Sequence, residues 1–260
     1  MRSIVSSVMA GLAIIGVSLP SVAQTLHAVI AADTDDPKIG GGAKENAKKM
    51  EQLIDSAAKL VRLKPNTIRL QNEKFNCEGI NEALGDLQIG ADDVVMFYYS
   101  GHGYRLFNDQ SRFPRLACSR NPVGNPQLED AAMTLRTRKA RLVIAIADSC
   151  NSFLGQVPAM MSGPEGETAL RRLFDGYQGT LILAGADYGQ FSWYTQSGGV
   201  FSAQLFDALT NELEKQDSAR WERVITAATR ASETNYNGRI YIQQPIVLST
   251  LQLREPPKRP

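Results

Sequence analysis

Residues 94–103 read VVMFYYSGHG and residues 141–150 read RLVIAIADSC, and these two stretches decide the predicted fold. Each contains an unbroken run of aliphatic, β-branched or aromatic residues that is followed by small and polar residues. A run that is apolar on both faces is typical of a central strand in a parallel sheet. The polar residues therefore follow the carboxyl ends of two such strands, which is where α/β sheets bind their ligands.

Strands and helices alternate along the rest of the sequence. Strands are predicted over residues 26–32, 67–71, 180–184 and 245–248, and helices over residues 43–63, 77–87, 128–138, 201–213 and 221–234. Residues 151–179 are predicted to form a loop because they contain several glycines and prolines. With no internal repeat or linker, this order predicts one α/β domain over residues 24–254, with a largely parallel central sheet flanked by helices. Residues 255–260 are predicted to be a flexible tail.

Composition excludes several classes of function. The 260 residues include 28 Lys and Arg against 27 Asp and Glu, for a formal net charge of +1. This balance argues against a protein held to nucleic acid by bulk electrostatics. The chain has 3 Cys and 2 His and no C-x-x-C pair, which disfavours a zinc ribbon or a thioredoxin-type redox centre.

Two acidic clusters could bind calcium. They consist of Asp33, Asp35 and Asp36, and of Asp92 and Asp93. Neither has the residue spacing of a calcium-binding loop. We therefore interpret both clusters as solvated loops and predict no cofactor; calcium activation has no support in the sequence.

Residues 1–23 have the features of a signal peptide. Arg2 gives a short positive region, residues 4–19 are uncharged, and Pro20 is followed by small residues at positions 21–23. The alternative is a membrane anchor, but the apolar run is short for a span of about 20 residues. We predict an exported protein, periplasmic or extracellular, with no stable membrane insertion after cleavage of the signal peptide.

An oxidising compartment permits a disulfide, and three cysteines leave one unpaired. Cys77 and Cys118 could pair and leave Cys150 as the free thiol. The alternative is three unpaired, partly buried thiols. Both interpretations stay open, because the Cα separations that decide between them cannot be read from a sequence.

His102 and Cys150 each follow one of the two central strands. If those strands are parallel neighbours, both residues lie at the same edge of the sheet. A nucleophilic cysteine needs a base within hydrogen-bond reach and donors directed at the developing oxyanion. The amides of Gly103 and Cys150 are candidate donors. His27 lies inside the first predicted strand and is interpreted as structural, so His102 is the base that remains.

The ordered motifs, YYSGHG after one buried strand and DSC after the next, resemble the caspase-like cysteine peptidases of family C14, in particular the bacterial metacaspase-type p20 domain. The histidine precedes the cysteine by 48 residues, close to the separation of about 50 in caspases. The resemblance covers residues 26–248 and implies the caspase-hemoglobinase fold and cleavage of peptide or protein substrates. It implies that His102 is the catalytic histidine, Cys150 the nucleophile and Gly103 an oxyanion contributor.

The resemblance also implies a specificity. Asp148 matches the acidic residue that metacaspase-type enzymes place at the floor of the pocket for the residue before the scissile bond. A buried carboxylate there favours a cation, whereas a substrate aspartate would be repelled. We therefore predict cleavage after Arg or Lys. Asp187 and Ser192, which follow the next strand, are further candidates for the same pocket.

Some features leave alternatives open. Asn151-Ser152-Phe153 follows the cysteine where metacaspases commonly have His-Ser-Gly, and Phe153 adds bulk beside the nucleophile. A catalytically inactive module that binds a peptide or protein in the same cleft is therefore one alternative. A legumain-like cysteine peptidase, which also pairs a His-Gly with a later Cys, is another. Arg171-Arg172 is either an autoprocessing site or a solvated helix face. The natural substrate and the oligomeric state are not predicted.

Overall fold

The computed structural model describes residues 24–106, 109–119, 121, 124–149, 166–195 and 197–254. The predicted signal peptide, the predicted tail, Cys150, Asn151 and Phe153 lie outside the described residues. The helices are α1 (Gly40–Val61), α2 (Cys77–Asp86), α3 (Leu128–Thr137), α4 (Glu167–Phe174), α5 (Val200–Leu213) and α6 (Trp221–Ala228). The strands are β1 (Thr25–Ala32), β2 (Lys64–Leu70), β3 (Val94–Gly101), β4 (Gly103–Tyr104), β5 (Arg115–Leu116), β6 (Leu142–Ser149), β7 (Tyr177–Ala184), β8 (Tyr194–Thr195), β9 (Gly198–Gly199), β10 (Ser232–Tyr236), β11 (Arg239–Gln243), β12 (Ile246–Ser249) and β13 (Gln252–Leu253).

The central sheet has the strand order β12-β7-β6-β3-β1-β2, and β13 also pairs with β7. Strands β1, β2, β3, β6 and β7 run parallel, whereas β12 and β13 run antiparallel to β7. Every residue of β3 and of β6 is buried, as the continuous apolar runs predict for central strands. The predicted α/β class and largely parallel sheet are confirmed.

Helices cover both faces of the sheet, and each face has its own core. Helices α1, α4, α5 and α6 pack on one face, where Tyr98 and Ile146 point. Helices α2 and α3 pack on the other face, where Tyr99 and Ala147 point. Because side chains alternate along a strand, neighbouring residues at the ends of β3 and β6 also serve opposite faces.

His27 lies at the end of the sheet opposite to His102. Its Nε2 is 3.1 Å from Oδ2 of Asp93, and its Nδ1 is 3.0 Å from Nδ2 of Asn66. Partial burial acts to raise the pKa of Asp93, but hydrogen bonds from two backbone amides and from His27 hold it below its usual value. His27 is 4 % exposed, and its structural interpretation is confirmed.

Cys77, at the start of α2, forms a disulfide with Cys118, and their Cα atoms lie 4.9 Å apart. This confirms one of the two interpretations of the cysteines. The bond links the helix layer on one face of the sheet to the segment that follows β5. Cys150 is thereby the one cysteine that this disulfide does not use.

Two local predictions are wrong. Helix α4 lies inside the stretch predicted as a loop, and Arg171 and Arg172 are part of it. The last predicted helix ends at Ala228 rather than at residue 234, because residues from Ser232 onward form β10, which the Asn237-Gly238 turn joins to β11. Both turn residues have positive φ, at 51° and 76°, which is the geometry of a tight hairpin turn. None of the helices described here is long and apolar enough to span a membrane.

Candidate active site

The register of β3 and β6 aligns the two predicted catalytic segments. Ser100 pairs with Asp148, and Gly101 pairs with Ser149. His102 directly follows Gly101, and Cys150 directly follows Ser149 in the chain. The predicted nucleophile itself lies outside the described residues. The carboxyl edge of the sheet therefore presents His102 beside the residue that precedes the cysteine.

His102 has a carboxylate partner. Its Nε2 lies 3.0 Å from Oδ2 of Asp36, in the loop between β1 and α1. The other oxygen of Asp36 accepts hydrogen bonds from the amides of Lys38 and Ile39, at 2.8 and 2.9 Å. Partial burial acts to raise the pKa of Asp36, but these amides and His102 hold it below its usual value. An ionised carboxylate only accepts, so the hydrogen-bond pattern assigns the proton to Nε2 and makes Nδ1 the acceptor of the neutral ring.

The interpretation of Asp36 as part of a solvated loop is therefore wrong. Asp33 belongs to the same group: burial, followed by the nearby charge of Asp36, raises its pKa. One ligand atom from each of Asp33, Asp36 and His102 lies within 4.8 Å of the others. Calcium prefers six to eight oxygen ligands, and the two carboxylates of this trio supply only part of such a set; calcium dependence stays untested.

Position 103 requires glycine because Ser149 lies too close to leave room for a side chain. It lies in β4, paired with Leu116 of β5. A Cβ atom at this position would lie 2.7 Å from Oγ of Ser149, a separation that real Cβ atoms do not show. Any larger residue would force β4 and the end of β6 to move apart at the catalytic edge. The oxyanion role of Gly103 stays a prediction.

Asp148 lies on the opposite face of β6 from Ser149 and is 0 % exposed. Its Oδ1 accepts a hydrogen bond from Oγ of Ser192 at 3.0 Å. Its Oδ2 accepts from the amide of Ser202 at 3.0 Å and from Nδ2 of Asn46 at 3.4 Å. Burial raises the pKa of Asp148, and these hydrogen bonds oppose that shift. In the part of the chain that the structure describes, no lysine, arginine or histidine pairs with this carboxylate.

The carboxylate of Asp148 is enclosed by backbone as well as by side chains. Oδ1 of Asn46 accepts from the amide of Gly199 at 3.2 Å, and Nδ2 of Asn46 also donates to Oγ of Ser100 at 3.0 Å. A Cβ at Gly199 would lie 1.9 Å from Oδ2 of Asp148. The hydroxyl of Tyr194 donates to the backbone carbonyl of Asp148. A substrate side chain therefore reaches the carboxylate only by displacing some of these groups.

The two further pocket candidates lie in different places. Ser192 donates a hydrogen bond to Asp148, and its role in substrate binding stays a prediction. Asp187 instead pairs with Arg112 at 3.1 Å. It lines a separate cavity of about 440 Å³, together with Gly103 and Ser149. Asp187 thus faces the side of the catalytic edge opposite to Asp148.

Asp36, Asn46 and Ser202 are the site residues that the sequence analysis missed. Asn46 carried a readable signal, since it is a polar residue on the apolar face of α1 and is 1 % exposed. A buried asparagine in such a position needs hydrogen-bond partners, which indicates a polar network. Asp36 and Ser202 carried no comparable signal, because their partners are 66 and 54 residues away in the chain.

Comparison with known proteins identifies a family. The family model of the caspase domain, peptidase family C14, matches residues 40–254. No curated protein matches the chain significantly. A crystal structure of a protein from Geobacter sulfurreducens is 16 % identical, with a TM-score of 0.47, and the match covers 90 % of this chain and 95 % of that one. This likeness is too low to carry an argument about function.

Proposed function

Because the chain belongs to the caspase domain family of peptidases, we propose that it is an exported cysteine endopeptidase with His102 and Cys150 as its catalytic dyad. The observation that carries this proposal is the 3.0 Å hydrogen bond between His102 and Asp36 at the edge where β3 and β6 end. That bond fixes the ring and its tautomer, which a general base requires. Peptides or proteins are the substrates that the family implies.

In the proposed reaction, Nδ1 of His102 accepts the proton of the Cys150 thiol. The sulfur then attacks the substrate carbonyl, which forms a carbon–sulfur bond and an oxyanion. Collapse of this intermediate breaks the carbon–nitrogen bond, and the imidazolium gives its proton to the leaving amine. Water, deprotonated by His102, then hydrolyses the thioester and regenerates the thiol. Asp36 acts through His102 by holding Nε2–H throughout.

We assign the oxyanion to the amides of Gly103 and Cys150. One such donor contributes about 3 kcal/mol to the stability of a transition state. A free thiol with a pKa of about 8.5 is only a few per cent ionised at neutral pH. Thiolate formation alone therefore contributes about 2 kcal/mol, and the oxyanion donors and protonation of the leaving group supply the rest.

Cleavage after Arg or Lys is the proposed specificity. The support is electrostatic, since Asp148 is a buried carboxylate that has hydrogen-bond donors but no cation among its described neighbours. A guanidinium or ammonium group would supply the missing charge, and charge-assisted hydrogen bonds are roughly twice as strong as neutral ones. To reach the carboxylate, the substrate must replace donors such as Asn46 and Ser192. When the basic side chain binds, Asp148 therefore exchanges hydrogen bonds from protein donors for hydrogen bonds from the substrate.

Export is supported by two independent features. Residues 1–23 have the charge and size pattern of a signal peptide. The Cys77–Cys118 disulfide persists in oxidising compartments and is rare where glutathione keeps thiols reduced. We propose a periplasmic or extracellular location on these grounds.

The test is hydrolysis of fluorogenic peptides that differ only in the residue before the scissile bond: Arg, Lys, Asp or Asn. The mature protein is compared with Cys150→Ala, in a mild reductant that keeps Cys150 free without breaking the disulfide, and with and without calcium. We expect cleavage after Arg and Lys that is absent from the variant. Equal background in both proteins would overturn the enzyme proposal. Cleavage after Asp would overturn the role of Asp148, and cleavage after Asn would favour the legumain-like alternative.

A second candidate is a non-catalytic module that binds a peptide in the same cleft. The observation that favours it is the burial of the Asp148 carboxylate, which is 0 % exposed and is approached closely by the backbone of Gly199 in the described part of the chain. This candidate predicts equal peptide affinity for the wild type and for Cys150→Ala, with no turnover by either protein. Measured affinity together with measured turnover separates the two candidates.

A further inference from the structure

The cavity beside Gly103 and Ser149 is lined by a cation, Arg105, that has no ion-pair partner among the described residues. Two nitrogens of Arg105 donate to the backbone carbonyls of Phe113, at 3.1 Å, and of Ser111. The guanidinium also lies over the ring of Tyr188, 4.8 Å from its centre. No carboxylate among the described residues forms an ion pair with Arg105. The nearby Arg112 pairs with Asp187, so among the described residues that line the cavity Arg105 is the cation left without a carboxylate partner.

The same wall contains polar atoms that lack a partner. Nε of Arg105 and Oγ of Ser149 are both buried and have no hydrogen-bond partner in the described part of the molecule. Ser149 is 2 % exposed and lines the cavity. Buried donors without acceptors are rare in folded proteins, and each one calls for an explanation. A bound group that offers acceptor oxygens would satisfy both atoms.

The other side of the cavity is apolar and accessible. Tyr188 is 63 % exposed and Phe191 is 46 % exposed, and both line the cavity. Exposed aromatic rings beside a fixed cation suit a ligand with a short hydrocarbon stem and an anionic end. Glutamate and aspartate side chains have this composition. The volume of about 440 Å³ accommodates such a side chain together with its backbone.

The position of the cavity relates it to the proposed reaction. Asp148 and Ser149 are neighbours on β6, and their side chains point to opposite faces of the sheet. If Asp148 receives the residue before the scissile bond, a substrate that crosses the strand ends places its next residue on the Ser149 side. We propose that this cavity binds the acidic side chain of the substrate residue after the scissile bond, with Arg105 as its charged partner. This inference rests on the proposed peptidase function.

The test uses internally quenched peptides with one sequence and Arg before the scissile bond, followed by Glu, Gln or Lys. We expect kcat/KM for Glu to exceed that for Gln by about tenfold, with Lys the poorest. Arg105→Gln is expected to abolish the preference for Glu over Gln. Arg136→Gln removes a charge from the exposed face of α3 and is expected to retain the preference.

Arg105 also holds the backbone carbonyls of Ser111 and Phe113, so the test includes readouts that do not depend on substituting it. The comparison among the three peptides needs no variant and remains decisive in the wild type alone. Ser149→Ala removes a hydroxyl that has no partner among described residues and should lower the preference for Glu without lowering thermal stability. Equal rates for Glu, Gln and Lys would overturn the inference. A preference for acidic residues before the bond instead would overturn it as well.

Failure of the proposed function gives a different result. A fluorescent peptide with an N-terminal Glu, equivalent to a cleavage product, is titrated into Cys150→Ala. If no peptide is hydrolysed but this peptide binds more tightly than its Gln counterpart, the peptidase proposal fails and the cavity assignment stands. If peptides are cleaved after Arg but the two product peptides bind equally, the cavity assignment fails alone.

Discussion

Asp36→Asn is the substitution that isolates the contact between His102 and its carboxylate partner. Asparagine retains one carbonyl oxygen, which can still accept from the amides of Lys38 and Ile39. Its amide nitrogen replaces the oxygen that faces Nε2 of His102. A donor at that position favours the tautomer in which Nε2 accepts and Nδ1 carries the proton. In that state the ring cannot take a proton from the thiol through Nδ1.

The expected loss follows from the strength of the contact. His102 and Asp36 have side chains that are 26 % and 19 % exposed, so the bond is partly shielded from water. A hydrogen bond to a charged group contributes about 1.5–3 kcal/mol. At 1.36 kcal/mol per tenfold change in rate, kcat should fall by about 10- to 150-fold. KM should change little, because Asp36 acts through His102 and not on the substrate.

The assay is steady-state hydrolysis of an Arg-containing fluorogenic peptide by purified mature protein, together with thermal unfolding of each variant. Asp35→Asn is the matched control, since it makes the same change in charge in the same loop at an exposed side chain. We expect the control to keep wild-type kcat. A kcat for Asp36→Asn within about twofold of the wild type would refute the positioning role. If kcat fell equally in Asp36→Asn and Asp35→Asn, the effect would be due to the negative charge of the loop and not to the contact with His102.

Three further outcomes follow from the structure. Cys77→Ala with Cys118→Ala removes the disulfide, which closes a loop with a sequence separation of 41. We expect the free energy of unfolding, measured in urea, to fall by about 4 kcal/mol. An unchanged midpoint of unfolding would contradict this. Asp148→Asn should abolish cleavage after Arg while keeping or raising the free energy of unfolding at neutral pH. Because the pKa of Asp148 is raised in the folded state, its contribution to the free energy of unfolding is full below its unfolded-state pKa. That contribution is lost as pH rises through the folded-state pKa. Retained Arg cleavage by this variant would refute the role of Asp148. Asp93 has a lowered pKa, so its contribution to the free energy of unfolding is present above its unfolded-state pKa of about 3.9 and is lost as pH falls through its folded-state pKa. The difference in free energy of unfolding between the wild type and Asp93→Asn should therefore shrink in acid. A difference independent of pH would show that the contact with His27 has no such effect.

The central strands could be predicted from sequence because each contains a run of consecutive apolar residues, which indicates burial on both faces. β3 and β6 are buried at every position, and the polar residues that follow them coincide with the edge of the sheet. Counting three cysteines limits the chain to one internal disulfide, and the sequence left a Cys77–Cys118 pair and three unpaired thiols both open. The 4.9 Å separation of the Cα atoms of Cys77 and Cys118 in the structure decides between them. The apolar runs were therefore sufficient to predict the central strands of the fold.

The polar contacts of the site could not be predicted in the same way. The bond between Asp36 and His102 joins residues 66 apart through two loops, and no periodicity relates them. The enclosure of Asp148 depends on Gly199, whose backbone occupies the space that a side chain would need. The Asn237-Gly238 turn is different, because its sequence is a strong hairpin signal. The helix predicted over residues 221–234 overlaps the strand β10 that leads into this turn.

Active-site labelling tests whether Cys150 is a nucleophile that His102 activates. The mature protein is treated with an arginine-containing peptidyl acyloxymethyl ketone, and the adduct is located by mass spectrometry of the digested protein. Because Cys77 and Cys118 are joined, one thiol is available. We predict one adduct per chain, on Cys150, that forms about 100-fold more slowly in His102→Ala. Failure to form this adduct, or an equal rate in His102→Ala, would contradict the account.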